Sequence, residues 1–135
     1  MNRRKLIMLF HYGTGLMDAL TGLCLLVVPA WTLVMMNVAP YPETPELISY
    51  LGVFVFSVGA GQFLGGRFPN DEVSRERWRT IWKLTSLIRF AVAAFVLSQV
   101  IGGHLEPAWI AVTFTDFTVA SVFVVLLRLK TLDPS

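Results

Sequence analysis

Residues 3–30 read RRKLIMLFHYGTGLMDALTGLCLLVVPA, and this stretch decides the fold. Arg3, Arg4 and Lys5 precede an apolar run from Leu6 to about Ala30, longer than the about 20 residues a helix needs to cross a bilayer. Pro29 has no amide hydrogen and clashes with the preceding turn, so a kink or stop is predicted there. Trp31 to Val38 then form a continuation or a short surface helix. A secretory signal shares the charged start and a small-residue site such as Val28-Pro29-Ala30. Against a signal, the core here is too long and carries His11, Tyr12 and Asp18. The run reads as a first membrane span.

The pattern recurs three times. Leu47 to Leu64 is apolar and closes on Gly65-Gly66 and Pro69; Ile81 to Ile101 closes on Gly102-Gly103; a fourth run starts at Pro107 and ends near Leu127. Of the 135 residues 55% are hydrophobic and 15% charged, with a mean hydropathy of +0.64. A soluble domain carries about 25% charged residues, so a water-soluble globule, a disordered chain, a disulfide scaffold and a large enzymatic domain are excluded. The prediction is an all-α polytopic membrane four-helix bundle, a single domain over 1–135 with spans at about 6–30, 47–64, 81–101 and 107–127.

The eleven basic residues orient it. Arg3, Arg4 and Lys5 precede span one; Arg67, Arg75, Arg77, Arg79 and Lys83 lie between or beside spans two and three; Arg128 and Lys130 follow span four. The connections 37–46 and 102–106 contain none. Positive charge stays on the cytoplasmic side, which predicts both termini and the middle loop in the cytoplasm. Only Arg89 lies inside a span.

In the middle loop Asn70 is expected to cap a helix whose first turn holds Asp71 and Glu72, acids that suit the positive end of the helix dipole. That helix should run into span three. Trp78 and Trp82 are four apart, as are Arg75 and Arg79, and the four residues read as an interfacial anchor with rings at the headgroups and guanidinium groups on lipid phosphates. A docking site for an acidic partner is the sharper alternative. No nucleic-acid motif is present, and the net charge of +2 follows from the topology.

Catalytic signatures are missing. Cys24 is the single cysteine, so an intrachain disulfide, an iron–sulfur cluster and a cysteine-rich zinc site are excluded. His11 and His104 belong to opposite ends of the spans and cannot share one haem within a subunit. Phosphate-binding glycine loops, nucleophile elbows and HExxH are absent, and the two halves show no inverted repeat. No catalytic residue, metal site or evident cofactor is expected.

Three ionisable residues lie within predicted spans. Asp18 is about 18 Å from the start of its span, Asp116 about 16 Å from the end of its own, and Arg89 about 12 Å in, with a side chain that extends toward the midplane. Each costs roughly 2.5–3.5 kcal/mol at a helix centre in lipid, so the three are expected to turn inward into one polar layer. The helix faces agree: His11, Gly15, Asp18 and Gly22 form a stripe adjoined by Thr14 and Thr21; Thr85, Arg89, Ala93 and Val96 form another; Thr113, Asp116 and Ala120 a third. Ser57 and Gly61 supply a small-residue pair for close approach. The layer reads as a ligand-headgroup or proton-relay site with His11, Thr14, Thr85 and Thr113 beside it. A clasp that fixes helix register alone is the competing reading.

Length, four helices, the Gly15-Leu16-Met17-Asp18 segment, Gly59-Ala60-Gly61, Arg89 and Asp116 together resemble the small four-span bacterial membrane proteins grouped as DoxX-like. The resemblance implies a bacterial inner-membrane protein, and some such proteins are subunits of a thiosulfate:quinone oxidoreductase. The expected functions are an accessory subunit of a larger membrane complex or a bundle that binds a lipid or quinone. A proton-coupled transporter and an oxidoreductase subunit are the alternatives. The expected partners are the bilayer and either other membrane subunits or further copies of the chain.

Overall fold

The computed structural model describes residues 3–38 and 45–133, and among them every regular element is helical. The helices are α1 (Arg3–Val27), α2 (Pro29–Met35), α3 (Pro45–Gln62), α4 (Glu72–Ile101) and α5 (Ile110–Arg128), with 3-10 turns at Phe63–Gly65 and Pro107–Trp109. Four helical segments, Arg3–Val27, Glu46–Phe63, Glu72–Ile101 and Pro107–Arg128, are long and apolar enough to cross a membrane. This is a membrane protein by the length and composition of its helices.

Two compact units divide the chain, Met1–Gly66 and Arg67–Ser135. In the first, α1 packs against α3 in antiparallel register, with Gly15 opposite Gly59 and Gly22 opposite Gly52. Their backbones touch. A Cβ on Gly52 would sit 2.6 Å from the Leu26 nitrogen, and one on Gly59 2.6 Å from the Gly15 carbonyl oxygen. In lipid, helices gain nothing from burying apolar surface against each other, so close van der Waals approach at small residues is what holds such a pair. The expected small pair on span two is not the one in use. Gly61 has nothing within 4 Å, and Ser57 is exposed and donates to Val53 O of its own helix at 2.8 Å. Two residues along a helix turn through about 200°, so Ser57 points away from the face that Gly59 presents.

Pro29 ends α1 and opens α2 as its first residue, after Val28 at φ −133°. The break is the one its chemistry dictates. In the second unit Asp71, at φ −124° and ψ 167°, is the N-cap of α4 and accepts from the Ser74 amide at 2.9 Å and its hydroxyl at 2.7 Å. The cap therefore falls one residue after the expected Asn70, because it is the Asp71 carboxylate that reaches the amide three residues on. These bonds hold the Asp71 carboxyl below its usual range.

Helices α2, α4 and α5 end alike, with a residue at positive φ and a backbone bond from the next residue back into the last turn: Asn37 and Val38 N→Leu33 O, Gly103 and His104 N→Gln99 O, Lys130 and Thr131 N→Leu126 O. This is the Schellman arrangement. Glycine and asparagine suit the left-handed site; Lys130, at φ 49°, does not. The fourth span starts as the 3-10 turn Pro107–Trp109, with the Trp109 indole donating to Glu106 at 3.1 Å, before α5 begins at Ile110.

Candidate functional site

The second unit contains the strongest polar feature inside an apolar segment. Arg89 of α4 donates from Nη1 to the Asp116 carboxylate of α5. Their side chains are 4% and 15% exposed. Asp116 lies about 9 Å from the Ile110 end of α5 and about 18 Å from the Arg128 end, so the pair is deep in the span. An unpaired charge at that depth is costly; the pairing of opposite charges on two helices lowers the cost and fixes their register.

Hydroxyl groups flank the pair along the same seam. Ser86 donates to the Ala120 carbonyl at 3.4 Å on one side, and Thr113 to the Ala93 carbonyl at 3.5 Å on the other. Both bonds are long, so the ion pair is the principal polar tie. Thr85, one turn before Arg89 on the same face, is buried, as are Ala93 and Ala120. Small alanines let the helices approach closely enough for side chain to meet side chain. Phe90 and Phe117 meet edge to face beside the pair, with centroids 5.5 Å apart.

Trp78 and Trp82, expected at the headgroups, are fully buried. Trp82 stacks on Phe123 at 5.4 Å, and Trp78 meets Phe68 and Trp82 edge to face at 5.7 and 5.8 Å. The physical reason is that Phe68 and Phe123, from distant parts of the sequence, complete an aromatic cluster. The guanidinium groups expected on phosphates have protein partners: Arg75 donates to Glu72 from Nε at 3.0 Å, and Arg79 pairs with Glu72, Glu76 and Asp133. Pairs this exposed add little stability. The Arg79–Asp133 contact does tie the segment after α5 back to α4.

In the first unit His11, Thr14 and Asp18 are buried on the stripe that also contains Gly15 and Gly22. The His11 ring is fully buried, and its Nε2 lies 3.0 Å from the Gln62 carbonyl oxygen. A carbonyl only accepts, so that nitrogen carries the proton. The Thr14 hydroxyl reaches the Phe10 carbonyl at 2.9 Å and Gln62 Oε1 at 3.1 Å. Gln62 is buried, and its Nε2 makes no hydrogen bond. Asp18 packs beside Gly59, where an added Cβ would meet the Asp18 Cβ at 2.8 Å. Within the second unit the structure brings Arg89 and Asp116 together with Thr113 nearby, and within the first it gathers His11 and Thr14 around Gln62. Gln62, near the end of its span, is expected from the sequence to hydrogen-bond neighbours; Ser86 is the addition, a single serine less than one turn from Lys83 and Arg89 that gives no signal of its own in the sequence.

Among the described residues no group of three or more His, Cys, Asp or Glu side chains could hold a metal ion. No protein-family model matches the chain, and neither a curated protein nor a solved structure does.

Proposed function

We propose that this is a small integral membrane protein that binds a lipid-soluble amphiphile, a quinone or a lipid, at the Arg89–Asp116 pair. The observation that supports this reading is the unequal burial of the pair. Arg89 is enclosed, whereas Asp116 keeps 15% of its side chain accessible on a helix with no other charged residue before Arg128. An accessible carboxyl edge in a span can exchange a hydrogen bond with a hydroxyl or headgroup, and the enclosed guanidinium holds that carboxyl in position. An ionisable residue within a span is by default a functional-site hypothesis. The basic residues at the Arg3 end of α1 and at the start of α4 support an orientation with both termini in the cytoplasm, and the DoxX-like resemblance supports a bacterial inner membrane.

The test is native mass spectrometry after mild detergent extraction. Wild-type protein is expected to retain a small amphiphile, and Asp116→Asn and Arg89→Ala to lose most of it while remaining helical by circular dichroism. Unchanged occupancy in both folded variants overturns the reading. Asp18→Asn in the same experiment asks whether the acid of α1 contributes to that occupancy. Membrane proteins retained in the same spectra would assign the chain as a subunit of a larger complex.

A further inference from the structure

A different feature lies in the first unit. Lys5, Leu9, Tyr12, Gly13 and Leu16 fall on one side of α1 and, with Phe63 of the 3-10 turn after α3, line a groove of about 450 Å³. Gly13 makes the groove: a Cβ there would meet nothing within 4 Å, so a strip of α1 is bare where another side chain would fill the space. Its wall is held in place. The Tyr12 ring stacks on Phe63 with centroids 5.7 Å apart, and its hydroxyl donates to the Gly66 carbonyl.

The dimensions and charge of the groove select its occupant. From Lys5 to Leu16 the helix rises about 16 Å, half of the about 30 Å of hydrocarbon in a bilayer. The groove therefore runs the depth of one leaflet. Lys5 stands at its outer end, beside Arg3 and Arg4; α1 has no acid in its first turn, and none precedes Asp18 along the helix. Lys5 makes no ion pair among the described residues. The one polar group along the wall, the Tyr12 hydroxyl, is engaged with Gly66, so a ligand that needs hydrogen bonds deep in the groove is not served. Positive charge at the headgroup level above an apolar channel one leaflet deep complements an anionic phospholipid.

We propose that this groove retains one anionic phospholipid, with an acyl chain along Gly13 and Leu16 and its phosphate at Lys5. The site shares no residue with the Arg89–Asp116 pair, so the two proposals fail separately. The experiment presents purified protein with equal amounts of phosphatidylglycerol and phosphatidylcholine of identical chains and reads the retained lipid by native mass spectrometry. Wild type should favour phosphatidylglycerol by about fivefold, the effect of one basic residue near an anionic headgroup, and the preference should shrink in high salt. Lys5→Gln should retain lipid without the preference. Gly13→Leu, which fills the groove at a position with room for a side chain, should lower the retained phospholipid by one molecule per chain and leave any amphiphile lost in Asp116→Asn in place. Equal retention of the two lipids by wild type, a preference that survives Lys5→Gln, or a phospholipid count unchanged by Gly13→Leu overturns the proposal.

Discussion

The two units pair their helices by different means. Between α1 and α3 the contact is backbone against backbone, made possible by Gly15, Gly22, Gly52 and Gly59. Between α4 and α5 it is side chain against side chain: Arg89 with Asp116, Trp82 with Phe123, Phe90 with Phe117. Lipid removes the hydrophobic drive for helix association, leaving close packing and polar pairing as the means. The first unit relies on packing for its seam and the second on pairing. The difference also bears on ligands. On the seam of touching backbones the polar groups His11, Thr14, Asp18 and Gln62 are buried, whereas the charged pair keeps part of its carboxylate open to a third party.

Substitutions should separate the two mechanisms. The largest effect is expected from Arg89→Ala, which leaves the Asp116 carboxylate without its cation; about 3 kcal/mol should be lost in reversible unfolding in mixed micelles. The paired change Arg89→Met with Asp116→Leu should recover most of that loss, since apolar groups of similar size replace both charges. If the paired change is as damaging as the single one, the seam does not depend on the ion pair. Next, Gly52→Ala should cost about 2 kcal/mol in the same assay, because its Cβ has only backbone to push against. Gly61→Ala, with open space around it, should be neutral or slightly stabilising. Equal effects at Gly52 and Gly61 would remove the case for a backbone seam.

Smaller effects lie at the helix ends. Lys130→Gly should stabilise the second unit by about 1 kcal/mol, because glycine accepts the left-handed conformation that lysine adopts there at a cost. A thermal midpoint unchanged or lowered by that variant would contradict the assignment. The smallest effect concerns acid. The folded-state pKa of Asp71 is depressed by its bonds to Ser74, so its contribution is fully present above the unfolded value of about 3.9. It is lost as pH falls through the lower folded value. Asp71→Asn keeps a capping side chain without the titration, and its thermal midpoint should therefore fall less than that of wild type between pH 5 and pH 2.

Much of this architecture is legible from residue spacing. The four spans show as long apolar runs, and Pro29 marks its break by its own chemistry. The stripe His11, Gly15, Asp18 and Gly22 follows from helical periodicity and is buried. What spacing does not encode is which face of a neighbour arrives opposite. Ser57 with Gly61 and Gly52 with Gly59 are both plausible small pairs, and only the approach of α1 selects the second. Trp78 and Trp82 beside Arg75 and Arg79 have the composition of an interface anchor, but Phe68 and Phe123 enclose the rings. Asn70 and Asp71 are adjacent and equally able caps. The groove beside Gly13 depends on Phe63, fifty residues away, and an absent side chain gives no local signal of the space it leaves.

Helix α4 has thirty residues without interruption, about 45 Å of rigid rod, while the hydrocarbon layer is about 30 Å thick. A third of the rod thus stands clear of the acyl region unless it tilts strongly, and that third is its charged beginning. A stiff rod transmits displacement along its length. The stub near Glu72 and the stretch that carries Arg89 belong to one unbroken helix, with no hinge between the surface and the buried salt link.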